Sequence, residues 1–444
     1  MRNKPFHFQG GIHPDGQKAL SNGNGLIAAA PLEKYTIVLQ QNIGAAPAWS
    51  VKKGDTVRKG SVIATPTGYI SVPLHSPVQG VVGNVLTIPG ANGIPVEALE
   101  IFADPEKNEW ELMEPISDWR DTNREILKKR VLDAGIVGMG GAAFPTHAKL
   151  SPPPEKEIDT LIVNAAECEP YLTADDVLIR EKAEEILIGC AVSAKILNVN
   201  QILIGIEDNK PEAIAALEKV APGYGAKVIP LPVRYPQGGE KQLIYALTGR
   251  KVIVGALPMD VGCVVQNVAT LYAIFEAVVS GRPLVERVVT VTGSCVVNSG
   301  NYILPLGTPV REALKMAGGI RKGSRVAKLI LGGPMMGFAQ SSMDVAVSKN
   351  TSGILLLTDE ELAQFEGGPC LSCGRCVDGC PMGLLVSTLS KMCESERYDL
   401  AEENYVLSCM ECGICSYVCP AKRPNVQHFR RAKAEIMEKR KKQK

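Results

Sequence analysis

The sequence predicts a multidomain protein of α/β and β modules that ends in a cysteine-rich helical region. Three observations carry this prediction. The chain has 444 residues, which is more than one ordinary domain holds. Its middle alternates strand and helix patterns, which favours an α/β domain. Of its 13 cysteines, nine lie between Cys370 and Cys419.

The composition is that of a globular protein and excludes several classes. Apolar residues make up 45% and charged residues 21% of the chain, which is enough for a full core. The net charge is +1 and aromatics are 5%, so nucleic acid is not an expected partner. The N-terminus has no apolar stretch of the secretory type, and no apolar run reaches about 18 residues. We therefore expect neither a secretory signal nor a membrane span.

The first part of the chain reads as an extended segment followed by short strands. Residues 1–30 are rich in Gly and Asn and predict an extended N-terminal segment. In residues 31–118, Gly54 and Gly60 interrupt alternating apolar positions, which predicts strands and turns. This segment resembles the barrel-sandwich of lipoyl and biotinyl domains. Residues 66–71, at the place of the carrier hairpin, include no lysine, so a structural role is expected.

An α/β domain is predicted over residues 119–283. A helix over 119–135 can be capped by Thr122 or Asn123 and ended by Gly135. Further strands and helices are expected at 160–164, 174–197, 201–206, 210–220 and 226–231.

Residues 284–340 return to strands around one helix. This pattern resembles a β-grasp module of the soluble-ligand-binding (SLBB) type, and 341–365 is expected to be a connecting segment. The last residues, 429–444, carry eight Lys or Arg and two Glu. Two interpretations of this basic tail remain open, namely a solvated helix end or a contact with anionic lipid or an acidic partner.

The region 366–428 contains one cysteine motif twice. Each copy has the spacing C-x2-C-x2-C-x3-C-P, which holds 4Fe–4S clusters in bacterial ferredoxins, and the fourth cysteine of each copy binds the other cluster. The spacing does not suit zinc fingers. The intervening residues have helical character, which predicts a helical double-cluster, ferredoxin-like domain with Cys393 buried in its core. The predicted ligands are Cys370, Cys373, Cys376 and Cys419 for one cluster, and Cys380, Cys409, Cys412 and Cys415 for the other.

A glycine-rich loop follows the first predicted helix of the α/β domain. Residues 138–143, GMGGAA, fit the G-x-G-x-x-A fingerprint of dinucleotide-binding turns, although a helix precedes them instead of a strand. Glycines let backbone N–H groups approach an anionic or flat ligand, and Lys149 can add a phosphate contact. On the loop alone, a ligand site and a tight structural turn remain alternatives.

The loop is one of four segments that follow one another along the chain in the order found in a known family. Residues 138–149 resemble the flavin loop of the NADH-binding subunit of respiratory complex I. With FQGGIHP near the N-terminus, the barrel-sandwich and the two cysteine motifs, nearly the whole chain resembles the C subunits of Rnf complexes, which are membrane-associated, ion-pumping ferredoxin:NAD oxidoreductases. The further segments in the complex I order are 163–170, 238–241 and 265–271.

The resemblance implies bound FMN and two 4Fe–4S clusters, with NAD(H) as the substrate near Phe144 and Glu167. Three positions differ from the complex I pattern, namely Ala166, Cys168 and Lys241. We expect Cys168 to be a packing residue and Cys190, Cys263 and Cys295 to be core or structural residues. The implied FMN-binding residues are Gly138, Gly140, Gly141, Lys149, Asn164, Gly239, Glu240, Asn267 and Thr270.

The resemblance also implies the function. The chain is expected to be an oxidoreductase subunit in which FMN converts between hydride transfer with NAD and one-electron transfer through the clusters. No side chain is expected to act as an acid or base. The implied partners are the other membrane and peripheral subunits of the complex, and ferredoxin through them. The implied location is peripheral, on the cytoplasmic side of the cell membrane.

Two alternatives remain. One is a soluble flavin/iron–sulfur cobalamin reductase, and the other is a non-catalytic electron-relay scaffold without FMN. The presence of residues 1–120 favours the Rnf interpretation over the cobalamin reductase.

Overall fold

The first part of the chain folds as a β-sandwich. The computed structural model describes residues 5–104, 106–362 and 367–442. The strands are β1 (Leu26–Ala28), β2 (Lys34–Val38), β3 (Ala48–Trp49), β4 (Thr56–Val57), β5 (Val62–Thr65), β6 (Leu74–His75), β7 (Gly80–Pro89) and β8 (Pro95–Ala103). Two sheets, β2-β8-β7-β4 and β3-β5-β6, enclose buried Tyr35, Ile63 and Leu99. The predicted barrel-sandwich is confirmed.

The central α/β domain contains a four-stranded parallel sheet. Its elements are α1 (Arg124–Asp133), α2 (Thr146–Lys149), β9 (Thr160–Ala165), α3 (Ala174–Leu197), β10 (Gln201–Glu207), α4 (Pro211–Val220), β11 (Ala226–Leu231), α5 (Glu240–Thr248), β12 (Cys263–Asn267) and α6 (Val268–Val279). The predicted strands and helices are confirmed. As expected, Asn123 caps α1 by accepting from the N–H of Glu125, and Gly135 follows with a φ of +68°.

The strand order of this sheet creates a crevice. The sheet runs β11-β10-β9-β12, so the chain builds outward from β9 and then returns to the other side of β9 as β12. Connections diverge where the order reverses, and open α/β sheets bind ligands at the carboxyl ends of the strands there. Asn164 and Asn267 are register partners at those ends. The topology alone therefore marks this place as a ligand site.

The β-grasp module is larger than residues 284–340. It comprises β13 (Glu286–Thr292), β14 (Gly300–Pro305), α7 (Val310–Met316), β15 (Val326–Leu331), β16 (Phe338–Gln340) and β17 (Gly353–Thr358). The sheet order is β1-β14-β13-β17-β15-β16. Thus β17, from the expected connecting segment, lies in the middle, and β1, from the N-terminal segment, forms an edge. The apolar β17 is buried along five residues, which requires neighbours on both sides.

The cysteine-rich region is helical, as predicted. Its helices are α8 (Arg375–Asp378), α9 (Val386–Glu394), α10 (Tyr398–Glu403), α11 (Ile414–Tyr417) and α12 (Asn425–Lys442). Cys393 is buried in the core with Leu389 and Phe429, which confirms its predicted place. Single 3-10 turns occur along the chain at Lys18–Leu20, Ala221–Tyr224, Pro258–Val261, Asp359–Glu361 and Val406–Ser408.

The end of the basic tail is a solvated helix end, which is the first interpretation of its sequence. Residues 429–442 form most of α12, which buries Ile436 in the domain core and leaves residues 437–442 exposed. Glu411 accepts ion pairs from Arg430 and Lys433 at 2.8 and 2.7 Å, and Arg440 pairs with Glu402. Several of its cations are thus paired within the domain. None of the helices in the described ranges combines the length and apolar character of a membrane span.

Candidate functional site

The glycine loop lies at the crevice and is held by hydrogen bonds on the side that faces the protein. The N–H of Gly138 donates to the carbonyl of Phe144 at 2.9 Å, which closes the base of the loop. The fully buried Thr270 hydroxyl accepts from the N–H of Met139 at 2.9 Å. Thr270, an implied FMN contact, therefore anchors the loop and leaves ligand contact to the backbone in front.

Gly140 is required by close packing against Asn267. A Cβ atom at Gly140 would lie 2.8 Å from the Cβ of Asn267, whereas at Gly141 it would meet no described atom within 4 Å. Asn267 is fixed because its Oδ1 caps α6 and its Nδ2 donates to Asp175 at 2.7 Å. The two glycines thus differ, since one faces protein and the other faces open space.

The remaining implied FMN residues surround the same crevice. Asn164 donates to the carbonyl of Gly238 at 2.9 Å and so joins β9 to the turn before α5. Gly239 caps α5, and the first residue of that helix, Glu240, pairs with Lys149 at 2.7 Å. An ammonium group beside a helix N-terminus suits a phosphate. The structure therefore brings the implied residues from four separate segments together.

Glu167 does not have a free carboxylate. It accepts from the N–H groups of Asp175 and Asp176 at 2.7 and 3.2 Å, so it caps α3. Burial raises the pKa of Glu167 to about 8, against the opposing effect of Lys18. Phe144, by contrast, is 38% exposed. Of the two residues implied near NAD(H), only the aromatic ring is thus available to a ligand.

Sequence reasoning missed two buried cations under the glycine loop. Arg287 donates to the carbonyl of Met139 at 3.4 Å. Lys349 is fully buried and donates to the carbonyls of Gly135 and Pro73 at 2.6 and 2.9 Å. Burial lowers the pKa of Lys349 to about 7 and that of Arg287 to about 10. Lys349 lies shortly before the unpredicted strand β17, so its position carried no sequence signal.

The cysteines fall into the two predicted sets. Each set lines one concave space, and we call these hollow 1 and hollow 2. Hollow 1 is lined by Cys370, Cys373, Cys376 and Cys419. Hollow 2 is lined by Cys380, Cys409, Cys412 and Cys415. All these thiols are free, and in the described ranges no set of three His, Cys, Asp or Glu is arranged around a single metal ion.

The two motifs repeat the same local geometry. The sulfurs of Cys370 and Cys409 each accept from the backbone N–H two residues later, at 3.4 Å. Those of Cys380 and Cys419 each accept from the N–H four residues later, at 3.5 Å. Hydrogen bonds to ligating sulfurs tune iron–sulfur clusters. The donor set and its surroundings therefore fit two four-cysteine clusters.

Hollow 2 adjoins the crevice. Tyr235 of the α/β domain donates to the carbonyl of Cys412 at 2.7 Å, and the methyl of Met410 lies 3.0 Å from where a Cβ of Gly239 would stand. The N-terminal segment runs between the two domains. Ile12 pairs with Tyr235, and the N–H of Gly11 donates to the carbonyl of Gly379 at 2.9 Å.

The other cysteines are structural, as expected. Cys190, Cys263 and Cys295 are buried. Cys168 accepts from the N–H of Gly238 at 3.3 Å, and burial raises its pKa to about 12. A thiol with so high a pKa is unreactive at neutral pH. Lys241 donates to the carbonyl of Ile253.

The sequence matches three family models. They are the Nuo51 FMN-binding domain over residues 131–276, the RnfC barrel sandwich hybrid domain over 6–106 and the SLBB domain over 288–339. The fold is also similar to a chain of an NAD+-reducing [NiFe]-hydrogenase, with a TM-score of 0.51 and 18% identity. That similarity covers 72% of this chain and 64% of the other.

Three curated relatives match almost the full chain. It is 43% identical to the C subunit of the proton-translocating ferredoxin:NAD(+) oxidoreductase complex of Clostridium ljungdahlii, over 96% of this chain and 93% of that one. It is 42% identical to the Na(+)-translocating counterpart of Acetobacterium woodii, over 100% of both chains. For the C subunit of the ion-translocating oxidoreductase complex of Pseudomonas aeruginosa, identity is 41% over 98% of this chain and 56% of that one. This chain therefore belongs to the family of Rnf complex C subunits.

Proposed function

We propose that this chain is the NAD(H)-binding electron-transfer subunit of an ion-translocating ferredoxin:NAD+ oxidoreductase complex. One observation carries the proposal, namely that the glycine-loop crevice and two four-cysteine hollows occur in one chain, with hollow 2 against the crevice. FMN, when bound, supplies the conversion between two-electron hydride chemistry and one-electron transfer. The protein contributes binding, orientation and electrostatics.

The crevice has the features that FMN requires. Gly141 gives backbone access beside Gly140, which packs against Asn267. Lys149, paired with Glu240, lies beside the N-terminus of α5, whose N–H groups suit a phosphate. Asn267 and Asn164 hold the surrounding turns. We assign FMN binding to Gly138, Gly140, Gly141, Lys149, Asn164, Gly239, Glu240 and Asn267, with Thr270 acting through the loop.

NAD(H) is assigned to the open side of the same crevice. The exposed Phe144 ring provides a flat apolar surface against which a nicotinamide or adenine can pack. Glu167 contributes by capping α3 and so shaping the loop beside the crevice. No acid or base would be required of the protein, because bound FMN would supply the hydride chemistry.

The two hollows are assigned to two 4Fe–4S clusters in a ferredoxin-like domain. Hollow 2 touches the α/β domain, whereas around hollow 1 Leu371 is 65% exposed and Cys373 is exposed as well. One hollow is thus internal and the other accessible to another protein. This arrangement suits a subunit that passes electrons between a crevice and a partner.

The location and partners follow from the family. The relatives are named as subunits of ion-translocating complexes. We propose that this chain is likewise peripheral, on the cytoplasmic side of the membrane. It would exchange electrons with the other subunits, and through them with ferredoxin, while those subunits move the ions.

Cofactor analysis of the full chain tests the proposal. Protein prepared anaerobically and reconstituted with FMN, iron and sulfide is expected to show a flavin band at about 450 nm that NADH bleaches. It should also contain about eight iron atoms per chain. A chain that holds clusters but no flavin is the electron-relay scaffold instead. Rapid cobalamin reduction by the chain alone, without association with Rnf membrane subunits, indicates the cobalamin reductase.

A further inference from the structure

The N-terminal segment reaches under the loop that follows β9. We call residues 166–172 the flavin-side loop, because it lines the crevice. Lys18 opens a single 3-10 turn below it, and its ammonium group donates to three carbonyl oxygens of the loop. The acceptors, at 2.7, 2.8 and 2.6 Å, are Glu167, Glu169 and Leu172. These bonds use all three protons of the ammonium group.

A second lysine holds the start of the same loop. Lys210, before α4, donates to the carbonyl of Ala166 at 2.7 Å. In a planar trans peptide the carbonyl and the next N–H point in opposite directions. The N–H groups of Glu167 and Cys168 therefore point away from the lysines, and no described residue accepts a hydrogen bond from either. Two free donors thus stand at the carboxyl end of β9.

The loop cannot keep this shape by itself. Glu167 and Tyr171 have φ values of +47° and +68°, in the left-handed region that is unfavourable for a non-glycine residue. The loop has no glycine to relieve this strain. Lys18 also acts against the effect of burial on the Glu167 carboxyl, whose pKa burial raises. The conformation therefore depends on bonds from outside the loop, and Lys18 provides three of them.

We propose that Lys18 is a positioning residue of the flavin site, which keeps the backbone N–H groups of Glu167 and Cys168 directed at acceptor atoms of the bound ligand. This inference rests on the proposed function, because FMN is the expected ligand. Flavin and nicotinamide both carry carbonyl acceptors, so the affinities for FMN and for NADH are to be measured separately.

The test uses the full chain with three substitutions. Lys18→Met removes the charge and the donors at similar length, and Lys18→Arg keeps the charge with a different donor geometry. Lys53→Met alters an exposed lysine and is the control. The readouts are the FMN dissociation constant of flavin-free protein, the flavin midpoint potential, the KM for NADH, the iron content, and hydrogen exchange of residues 166–173.

We expect Lys18→Met to weaken FMN binding about tenfold or more, because one or two hydrogen bonds to the ligand are lost. Hydrogen exchange in the flavin-side loop should become faster. Iron content should not change, and Lys18→Arg should restore part of the affinity. A change in NADH KM alone would assign the N–H groups to the nicotinamide. Wild-type FMN affinity, potential, KM and exchange in folded Lys18→Met overturn the proposal.

If Lys18→Met does not fold, Lys18→Gln, which lacks the charge and has at most two donors, takes its place. Wild-type FMN affinity and potential in folded Lys18→Gln contradict a positioning role. Failure of the proposed function gives a different result. In that case the wild-type chain itself binds no FMN, while hydrogen exchange in flavin-free protein still reports whether Lys18 holds the loop.

Discussion

The crevice and the cysteine hollows are built in opposite ways. Each hollow takes three cysteines from one short motif and the fourth from its repeat, and sulfurs of both motifs accept from N–H groups two or four residues away. The crevice takes its residues from four segments, and its loops are held by Thr270, Arg287, Lys349 and Lys18 from other parts of the chain. A local site needs little help from the fold, whereas an assembled site depends on all the modules.

The sharpest test of the local site is loss of one ligand in hollow 2. Cys412→Ser is expected to remove one cluster and so about half of the iron, while FMN remains bound. Electron transfer from NADH to an external acceptor should be abolished, if that acceptor takes its electrons from the clusters. Iron analysis and EPR measure this result. Cys393→Ser is the matched control, because Cys393 is also buried but lies outside both sets. Loss of flavin in Cys412→Ser would contradict the separation of the two sites.

The assembled site is tested by its two central glycines. In Gly140→Val the new side chain collides with Asn267, because a Cβ atom at residue 140 alone would lie 2.8 Å from the Cβ of Asn267. We therefore expect loss of flavin with both clusters retained. Gly141→Ala meets no described atom within 4 Å and should leave the flavin-free protein as stable as wild type. Because we assign Gly141 to the FMN site, the Gly141→Ala protein should bind FMN more weakly than wild type. Equal flavin loss and equal destabilisation in both variants would show that the loop is merely structural.

The smallest expected effect is on the stability of the folded chain, through Lys349, which supports the crevice from another module. Lys349 has a pKa of about 7 in the folded chain and 10.5 as its ordinary value. Between these values Lys349 is protonated to a greater extent in the unfolded chain, so its own contribution to the free energy of unfolding rises with pH, by up to about 1.4 kcal/mol per unit. His75, whose pKa burial and Lys349 lower to about 3, does not titrate in this window.

Unfolding midpoints of flavin-free protein between about pH 7 and 10 check this sign. The wild-type midpoint should rise with pH relative to that of Lys349→Met, and Lys53→Met should follow wild type. Parallel profiles for all three proteins would mean that Lys349 keeps its ordinary pKa in the folded chain.

The sequence supported the local features better than the assembled ones. Cysteine spacing predicted which thiols meet, because a motif and its repeat carry the information. The glycine loop is visible in the sequence, but the anchoring role of Thr270 and the capping role of Glu167 depend on which way each side chain turns in the folded chain. The expected connection at 341–365 proved to contain β17, since a short apolar run does not reveal its partners. The buried cations were missed for the same reason.

The N-terminal segment has a consequence for how the protein is made. Gly11 bonds to Gly379, and Ile12 pairs with Tyr235, so this segment contacts residues that are far away from it in the sequence. Chains fold from the N-terminus during synthesis, yet this segment cannot reach its final place until the first cysteine motif has left the ribosome. Its docking therefore follows synthesis of the first cysteine motif.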